Sequence, residues 1–419
     1  MSVFKVIHGW RMKPASHSAL HQAGYFKDAI WSRRPIVPKR FHLWLLAIAT
    51  LSAVGLVGCG TGSTRTTPPD SCAPLTGPNS PSGTIGSIVD PLIASEMKAQ
   101  ALVGVAVSIA KNGNILYAQG YGYANLQTCQ PAQPAVEFQI GSVTKQFTAA
   151  AVLQLQNKGM LNIDQTVATY LPSYGFDSRI TLRMLLNQTS GLADYLNFPQ
   201  VNSWIDGVSQ ATVLTQIAEA PLGFTPGSLY SYSNSNYFIL GSIIEAVSGI
   251  TYANYLDANI FMPEDLSQTS YLQPPDSAAP YNPGPVPGLI ADPSLPFAAG
   301  ALWSNVEDLA KWDAALLNGE VIPSSLFTLM VTPPSVSSSG GGASNYGMGW
   351  VRGLEASHPF IWHNGETSSY TAFNGMFLDD GFSVSVLTNM PVNEDTPLLN
   401  LGEQIINGIC SSSATAGDC

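Results

Sequence analysis

Apolar positions along this chain follow two periods, one alternating and one helical, and their order lays out a fold. Gly104–Ala110 (GVAVSIA) and Ile115–Tyr123 (ILYAQGYGY) are strand-like runs on either side of Asn112-Gly113. That dipeptide is the strongest short hairpin signal, because both turn positions of the favoured type need φ > 0. Ahead of them, Asp90-Pro91 reads as an N-cap with proline at the first helical position, opening a helix to about Gln100. Ser142–Asn157 is helical in pattern and rich in Ala, Leu and Gln, with Gly159 as its stop. Residues 160–270 give short helical patterns broken by turns, and Leu272–Phe297 is a Pro-rich loop long enough to be a functional rim. Strand patterns return at Tyr346–Arg352, Phe360–His363, Tyr370–Leu378 and Phe382–Asn389. Asp379-Asp380-Gly381 turns the last pair into a hairpin, and a helix from about Thr396 to Ile409 closes the chain. Strands at both ends with helices between predict an α+β fold: an antiparallel sheet flanked by helices, completed late, plus a mainly helical subdomain over about 160–290. A folded part of this size also predicts two subdomains rather than one core.

The N-terminal region breaks the pattern. Leu43–Val57 (LWLLAIATLSAVGLV) is an apolar run of 15 residues behind Lys39 and Arg40. A bilayer span needs about 20 residues, so this length fits the apolar part of a signal peptide. It ends in Leu56-Val57-Gly58-Cys59, which resembles a bacterial lipobox and implies lipidation at Cys59. Residues 1–58 therefore read as a signal peptide, with residues 1–36 ascribed to a misassigned start codon, since a start at Val37 leaves a signal of ordinary size. From Gly60 to Gly83, 18 of 24 residues are Gly, Ser, Thr or Pro, so residues 59–84 read as a lipidated cysteine and a disordered tether. The expected location is exported and lipid-anchored to the cell envelope.

Charge sharpens that reading. Charged residues make up 11% of the chain, less than half of the roughly 25% found in ordinary soluble domains. Setting residues 1–58 aside removes eight of the 17 basic residues and one of the 28 acidic ones, leaving nine against 27, a net charge of −18. Such a field repels phosphate backbones, which excludes nucleic acid as a partner. With Cys59 assigned to lipid, Cys72, Cys129, Cys410 and Cys419 remain, enough for two disulfides with three pairings; Cys410–Cys419, enclosing a short polar tail at 411–419, is the first choice.

Much chemistry is absent. Only His358 and His363 follow residue 58, and neither His-Glu-x-x-His nor Cys-x-x-Cys occurs, so no metal is expected. No Gly-x-Ser-x-Gly elbow or phosphate-cradling glycine loop is present, and no cofactor is expected. Ser-x-x-Lys occurs three times, at Ser95/Lys98, Ser108/Lys111 and Ser142/Lys145. A serine one helical turn from a lysine shares its face and can be deprotonated by it. Only Ser142 opens a long helix; the first pair sits on a short amphipathic helix and the second runs into the Asn112-Gly113 turn. Ser142 has a simpler role open to it as an N-cap. A lysine in the first turn, however, opposes the helix dipole by roughly 0.3–1 kcal/mol, and so wants a reason.

The stretch Phe138–Leu153, with Ser142 and Lys145 inside it, resembles the nucleophile helix of the serine β-lactamase/DD-peptidase superfamily. The branch is that of class C β-lactamases, D-Ala-D-Ala carboxypeptidases, D-aminopeptidases and β-lactamase-like esterases. Ile180–Tyr195, Pro226–Gly249, Ala298–Leu317 and Ile361–Asn389 are similar to stretches of that family in the same order, over about residues 85–410. The resemblance implies a β-lactamase/transpeptidase-like fold and assigns roles. Of four Tyr-x-Asn triplets (Tyr123/Asn125, Tyr195/Asn197, Tyr232/Asn234, Tyr252/Asn254), it selects Tyr232/Asn234, which follow Pro226-Gly227 and precede a helical run. His363-Asn364-Gly365 is the single His-x-Gly.

The resemblance implies Ser142 as nucleophile, with Lys145 and Tyr232 as general base and then acid. Asn234 would hold the substrate amide or Lys145, His363 and Gly365 would bind substrate, and the backbone N–H groups of Ser142 and Glu366 would form the oxyanion hole. Tyr232 needs nearby positive charge to act as a base, which Lys145 and a protonated His363 are expected to supply. Where class C β-lactamases typically carry Lys, His363 would bind a carboxylate best in acid, implying an acidic working environment. The implied activity is an acyl-enzyme hydrolase on a small-molecule or peptidoglycan-derived peptide substrate, carboxypeptidase- or β-lactamase-like. A β-lactamase-like carboxylesterase and a non-catalytic penicillin-recognising module stay open beside it.

Overall fold

In the computed structural model the two strand-rich ends of the chain meet in one sheet. Cys72 and residues 77–79, 83–355, 358–392 and 397–411 are described. Strands β1 (Gly104–Lys111), β2 (Asn114–Asn125) and β3 (Gln130–Pro131) come early; β4 (Val351–Glu355), β5 (His358–Glu366), β6 (Thr371–Phe377) and β7 (Phe382–Thr388) come late. They lie in the order β4-β5-β6-β7-β1-β2-β3, antiparallel throughout, so the join between the chain's ends is the β7–β1 ladder, Val105 opposite Thr388. The β1–β2 turn is as expected, with Asn112 at φ 49° and Gly113 at φ 79°.

The main helices are α1 (Gly86–Gln100), α2 (Thr144–Asn157), α3 (Asn234–Ser248), α4 (Val306–Asn318) and α5 (Pro397–Ser411). Strand β1 is buried on both faces, and its alternation separates two cores. Val105, Val107 and Ile109 pack with Val89 and Ile93 of α1 and Ile405 of α5. Ala106 faces the other way, into a larger core holding Phe147, Ile239 and Trp312 together with Leu185, Leu214 and Ile217 from the 160–290 region. The expected split into two subdomains is thus a split between the two faces of the sheet, because the helical region shares its core with α2 and α4.

Three expectations are corrected. Helix α1 starts at Gly86, not at an Asp90 cap, and Pro91 lies inside it. The Asp90 carboxylate is taken by the hydroxyls of Tyr117 and Tyr121 on β2, which leaves it unavailable as a cap. The strand predicted from Tyr346 starts at Val351, because Gly349 takes φ 78° and presses onto α2; a Cβ there would lie 2.6 Å from the Lys145 carbonyl oxygen. The tether to residue 84 is fastened earlier. Cys72 is disulfide-bonded to Cys129, and Asn79 donates through Nδ2 to the carbonyls of Gly122 and Ala132 at 3.0 and 2.8 Å. Cys59 and Cys419, and with them the lipidation and the Cys410–Cys419 pairing, lie outside the described residues. Among the described residues no helix is long and apolar enough to cross a membrane.

Candidate active site

Gly141, at φ 50°, starts a short 3-10 turn (Gly141–Val143) that feeds α2. The N-cap of α2 is Val143 without a side-chain capping bond, so the Ser142 hydroxyl is not spent on the helix. One turn on, Lys145 is fully buried. Its Nζ lies 2.9 Å from Ser142 Oγ, 2.9 Å from Asn234 Oδ1 and 2.7 Å from the Ala299 carbonyl oxygen. Burial pushes the ammonium down to about 7, against the pull of the Asp194 charge. A neutral amine has two N–H bonds and one lone pair. The carbonyls of Asn234 and Ala299 can only accept, so they take the N–H bonds and the lone pair faces the Ser142 O–H.

Tyr232 hydrogen-bonds to Ser142, and its ring centroid is 4.9 Å from Lys145 Nζ. Burial, and next the neighbouring Tyr346, hold its phenol well above the ordinary value of 10. It is therefore a proton donor at neutral pH.

His363 corrects the sequence reading. It is buried, and burial followed by the Lys145 charge lowers it to about 3. Its Nδ1 lies 2.6 Å from the Asn364 carbonyl oxygen and its Nε2 3.0 Å from the Tyr346 hydroxyl. A carbonyl only accepts, so Nδ1 carries the hydrogen and Nε2 accepts from Tyr346. The ring is neutral at any ordinary working pH. It supplies no cation for Tyr232 or for a substrate carboxylate, and the expected acidic working environment loses its basis. The group in this geometry that can accept a proton from Ser142 near neutral pH is the Lys145 amine.

Pairing of β4 with β5 covers His358–Trp362, so among the described residues no strand pairs with the outer edge of His363–Glu366. Thr367 N–H donates to the Tyr370 carbonyl at 3.0 Å, closing the β5–β6 turn. Antiparallel alternation then points the N–H groups of Asn364 and Glu366 away from β6, toward that edge. Gly365 is required: a Cβ would sit 1.9 Å from the Ile140 carbonyl oxygen and 3.0 Å from Ser142 N. Gly141 is close as well, its Cβ falling 2.7 Å from Glu366 N. These approaches bring the backbone around Ser142 close against the Gly365–Glu366 end of β5.

The remaining motifs do other work. Ser95 and Lys98 are exposed, and Ser108 donates to the Val306 carbonyl at 2.7 Å. Tyr195 donates to Leu295 O at 2.5 Å, and Tyr252 bonds Thr148 Oγ1 at 2.7 Å. Sequence reasoning missed three partners: Asp194, Ala299 and Tyr346. Asp194 lies within the family-like stretch Ile180–Tyr195, where a signal existed. Ala299 likewise lies within a family-like stretch, Ala298–Leu317, but the use of its carbonyl had no signal of its own, coming two residues after a left-handed Phe297 (φ 39°) that no residue type announces.

Comparison with known proteins places the chain in a family and a fold. The family described as Beta-lactamase matches residues 89–404. A Bacillus subtilis (strain 168) protein named as a penicillin-binding protein, PbpX, is 32% identical over 268 residues, covering 62% of this chain and 64% of its own. Penicillin-binding protein 4* of the same organism is 29% identical over 329 residues, covering 72% of each. The chain spans a little under two thirds of the length of the first curated relatives it matches. Among solved structures, D-amino acid amidase from Ochrobactrum anthropi SV3 superposes with a TM-score of 0.68 at 22% identity, over 78% of this chain and 99% of that one. This likeness shows the fold.

Proposed function

The chain belongs to the Beta-lactamase family, within the serine β-lactamase/transpeptidase superfamily, and from that premise we propose that it is an exported serine hydrolase cleaving amides or esters through an acyl-enzyme at Ser142. The observation that carries the reading is the buried Lys145 amine, 2.9 Å from Ser142 Oγ and lowered to about 7. Lys145 takes the Ser142 proton as Oγ bonds to the substrate carbonyl carbon. The N–H groups of Ser142 and Glu366 hold the oxyanion, each such donor being worth about 10²–10³ in rate. Tyr232 gives its proton to the leaving amine or alkoxide and is reprotonated from Lys145. Water then enters by the same proton path in reverse and releases the acid.

A carboxypeptidase- or β-lactamase-like acyl donor is the reading that the family and its penicillin-binding relatives support. The carboxylesterase reading gains from one observation: neutral His363 offers no charge to a substrate carboxylate. The export reading is supported by the apolar run ending in Cys59 and by the Cys72–Cys129 disulfide, which belongs to an oxidising compartment.

Intact mass spectrometry of membrane-extracted protein after minutes with benzylpenicillin, beside Ser142→Ala, tests these points together. The expected result is a mass gain in the wild type alone, on a chain whose own mass fits a start at lipidated Cys59. Persistence of the adduct would assign a carboxypeptidase and its decay a β-lactamase. No adduct, with short acyl esters cleaved only when Ser142 is present, would leave the esterase. No adduct and no cleavage would sink the enzyme and leave the binding module.

A further inference from the structure

Asn234 is an amide, and its two ends are chemically opposite: Oδ1 accepts and Nδ2 donates. Lys145 needs the accepting end, because an N–H directed at its lone pair would occupy the electrons that take the Ser142 proton. Nothing in Asn234 itself decides which end faces Lys145. The structure places the decision in Asp194, in the turn before Tyr195 and 40 residues away along the chain. Asp194 Oδ2 accepts from Asn234 Nδ2 at 2.9 Å, while Asn234 Oδ1 accepts from Lys145 Nζ at 2.9 Å. Asp194 also accepts from the backbone N–H of Leu196 at 3.1 Å and from the backbone N–H of Asn234 at the start of α3. Ser233, the N-cap of α3, makes no capping bond, so Asp194 caps that helix from outside it. Burial raises the Asp194 carboxyl group above its ordinary range, while these N–H donors and the Lys145 charge pull it back down; each of the named contacts is a donor to the carboxyl group, which fits its ionised form.

We infer that Asp194 is a positioning residue for the Ser142 reaction, locking the Asn234 amide with its oxygen toward Lys145 and holding a fixed negative charge behind it. The role rests on the proposed acyl-enzyme reading. It goes beyond that reading in assigning to a half-buried acid, remote in sequence, control over the orientation and proton affinity of the base. The groups facing the Lys145 amine are few. Tyr232 and Tyr237 present their rings at 4.9 and 5.7 Å, His363 lies on β5, and Asp194 stands behind Asn234. With His363 neutral and the tyrosines protonated, Asp194 is the one anion among them.

Asp194→Asn removes the charge and the lock at little cost in volume. The new amide also carries a donor, so Asn234 is free to turn its N–H toward Lys145. The test is the rate of Ser142 acylation by a fluorescent penicillin or a chromogenic ester, against pH, in the full-length protein. The expected result for Asp194→Asn is a rate at least about tenfold below wild type, because a general base that is mis-set loses much of its 10²–10⁴-fold effect. The midpoint of the acid limb also moves to lower pH, because removing a nearby anion disfavours the protonated lysine. Asp194→Glu, which keeps charge but shifts the carboxyl group, should hold the midpoint closer to wild type while still losing rate. A merely structural Asp194 would cost stability and leave the midpoint in place; that outcome overturns the inference.

Should both Asp194 variants fail to fold, Asn234→Ala carries the test. The rate should fall with the midpoint close to wild type, since the charge remains; an unchanged rate would overturn the inference. Wild-type protein with no acylation at Ser142 would remove the reaction and the positioning role with it. An acylated wild type matched by its Asp194 variants would remove the role alone.

Discussion

Two buried polar networks meet on neighbouring residues of α2, and only one of them is built to move a proton. Lys145 leads to Ser142, Asn234 and Asp194. Gln146, the next residue, leads behind the sheet: its Oε1 accepts from Trp312 Nε1 at 3.2 Å and from Asn374 Nδ2 at 3.1 Å. Asn374 on β6 also donates to Asp313 Oδ1 of α4 at 2.8 Å and accepts from Ser385 of β7 at 2.7 Å. Each network contains a buried ionisable group shifted away from its ordinary range by desolvation, Lys145 downward and Asp313 upward. A perturbed group alone therefore does not mark the site. Lys145 differs in touching Ser142, which is partly exposed beside the edge of β5 that no described strand pairs with. Asp313 touches only residues that tie α2, α4 and the sheet together.

The largest test of that contrast is Lys145→Met. Removing the base should lower acylation by about 10²–10⁴-fold, while unfolding by urea shows a protein still folded. A loss under about tenfold would shift the base to Tyr232 and undo the contrast.

The pH dependence comes next. With the amine near 7, the fraction able to accept a proton is about a tenth at pH 6 and about nine tenths at pH 8, so the rate should rise about tenfold between them. The sign is opposite to the acid preference that a histidine-based site predicts. His363→Gln should leave the midpoint close to wild type, since the ring is already neutral well below this window. A pH–rate profile that falls between pH 6 and 8, and flattens in His363→Gln, would restore the imidazolium as the working group.

How much of this was legible follows from the range of each interaction. Ser142 and Lys145 are one helical turn apart, so local spacing carried them, and Asn112-Gly113 likewise fixed its own turn. Tyr232, Asn234 and Gly365 became readable through the order of family-like segments rather than through any property of the triplets, four of which share the Tyr-x-Asn spelling. The state of His363 was not readable, because it depends on enclosure and on a Tyr346 hydroxyl brought in by a bend at Gly349. Asp90-Pro91 misled for the same reason: two tyrosines across the sheet edge outcompete the local cap. Residue type and spacing announce local chemistry; protonation states answer to neighbours that the fold supplies.

Asp313 gives the smallest expected effect on rate and the sharpest separation of the networks. Its folded carboxyl group keeps its proton above the ordinary range, while the same group in the unfolded chain releases it as pH rises past about 4. Over that window the folded state holds more protons than the unfolded state, so this group makes stability fall as pH rises. Asparagine at the same place still accepts from Asn374 and has no proton to lose. Asp313→Asn should therefore gain stability relative to wild type between pH 4 and pH 8, read by urea unfolding at both, with acylation within about twofold of wild type. A constant stability difference at the two pH values would mean that the buried carboxyl group is ionised. A large loss of acylation with an intact fold would mean that Gln146 couples the two networks, and that the boundary between support and catalysis on α2 does not fall between Lys145 and its neighbour.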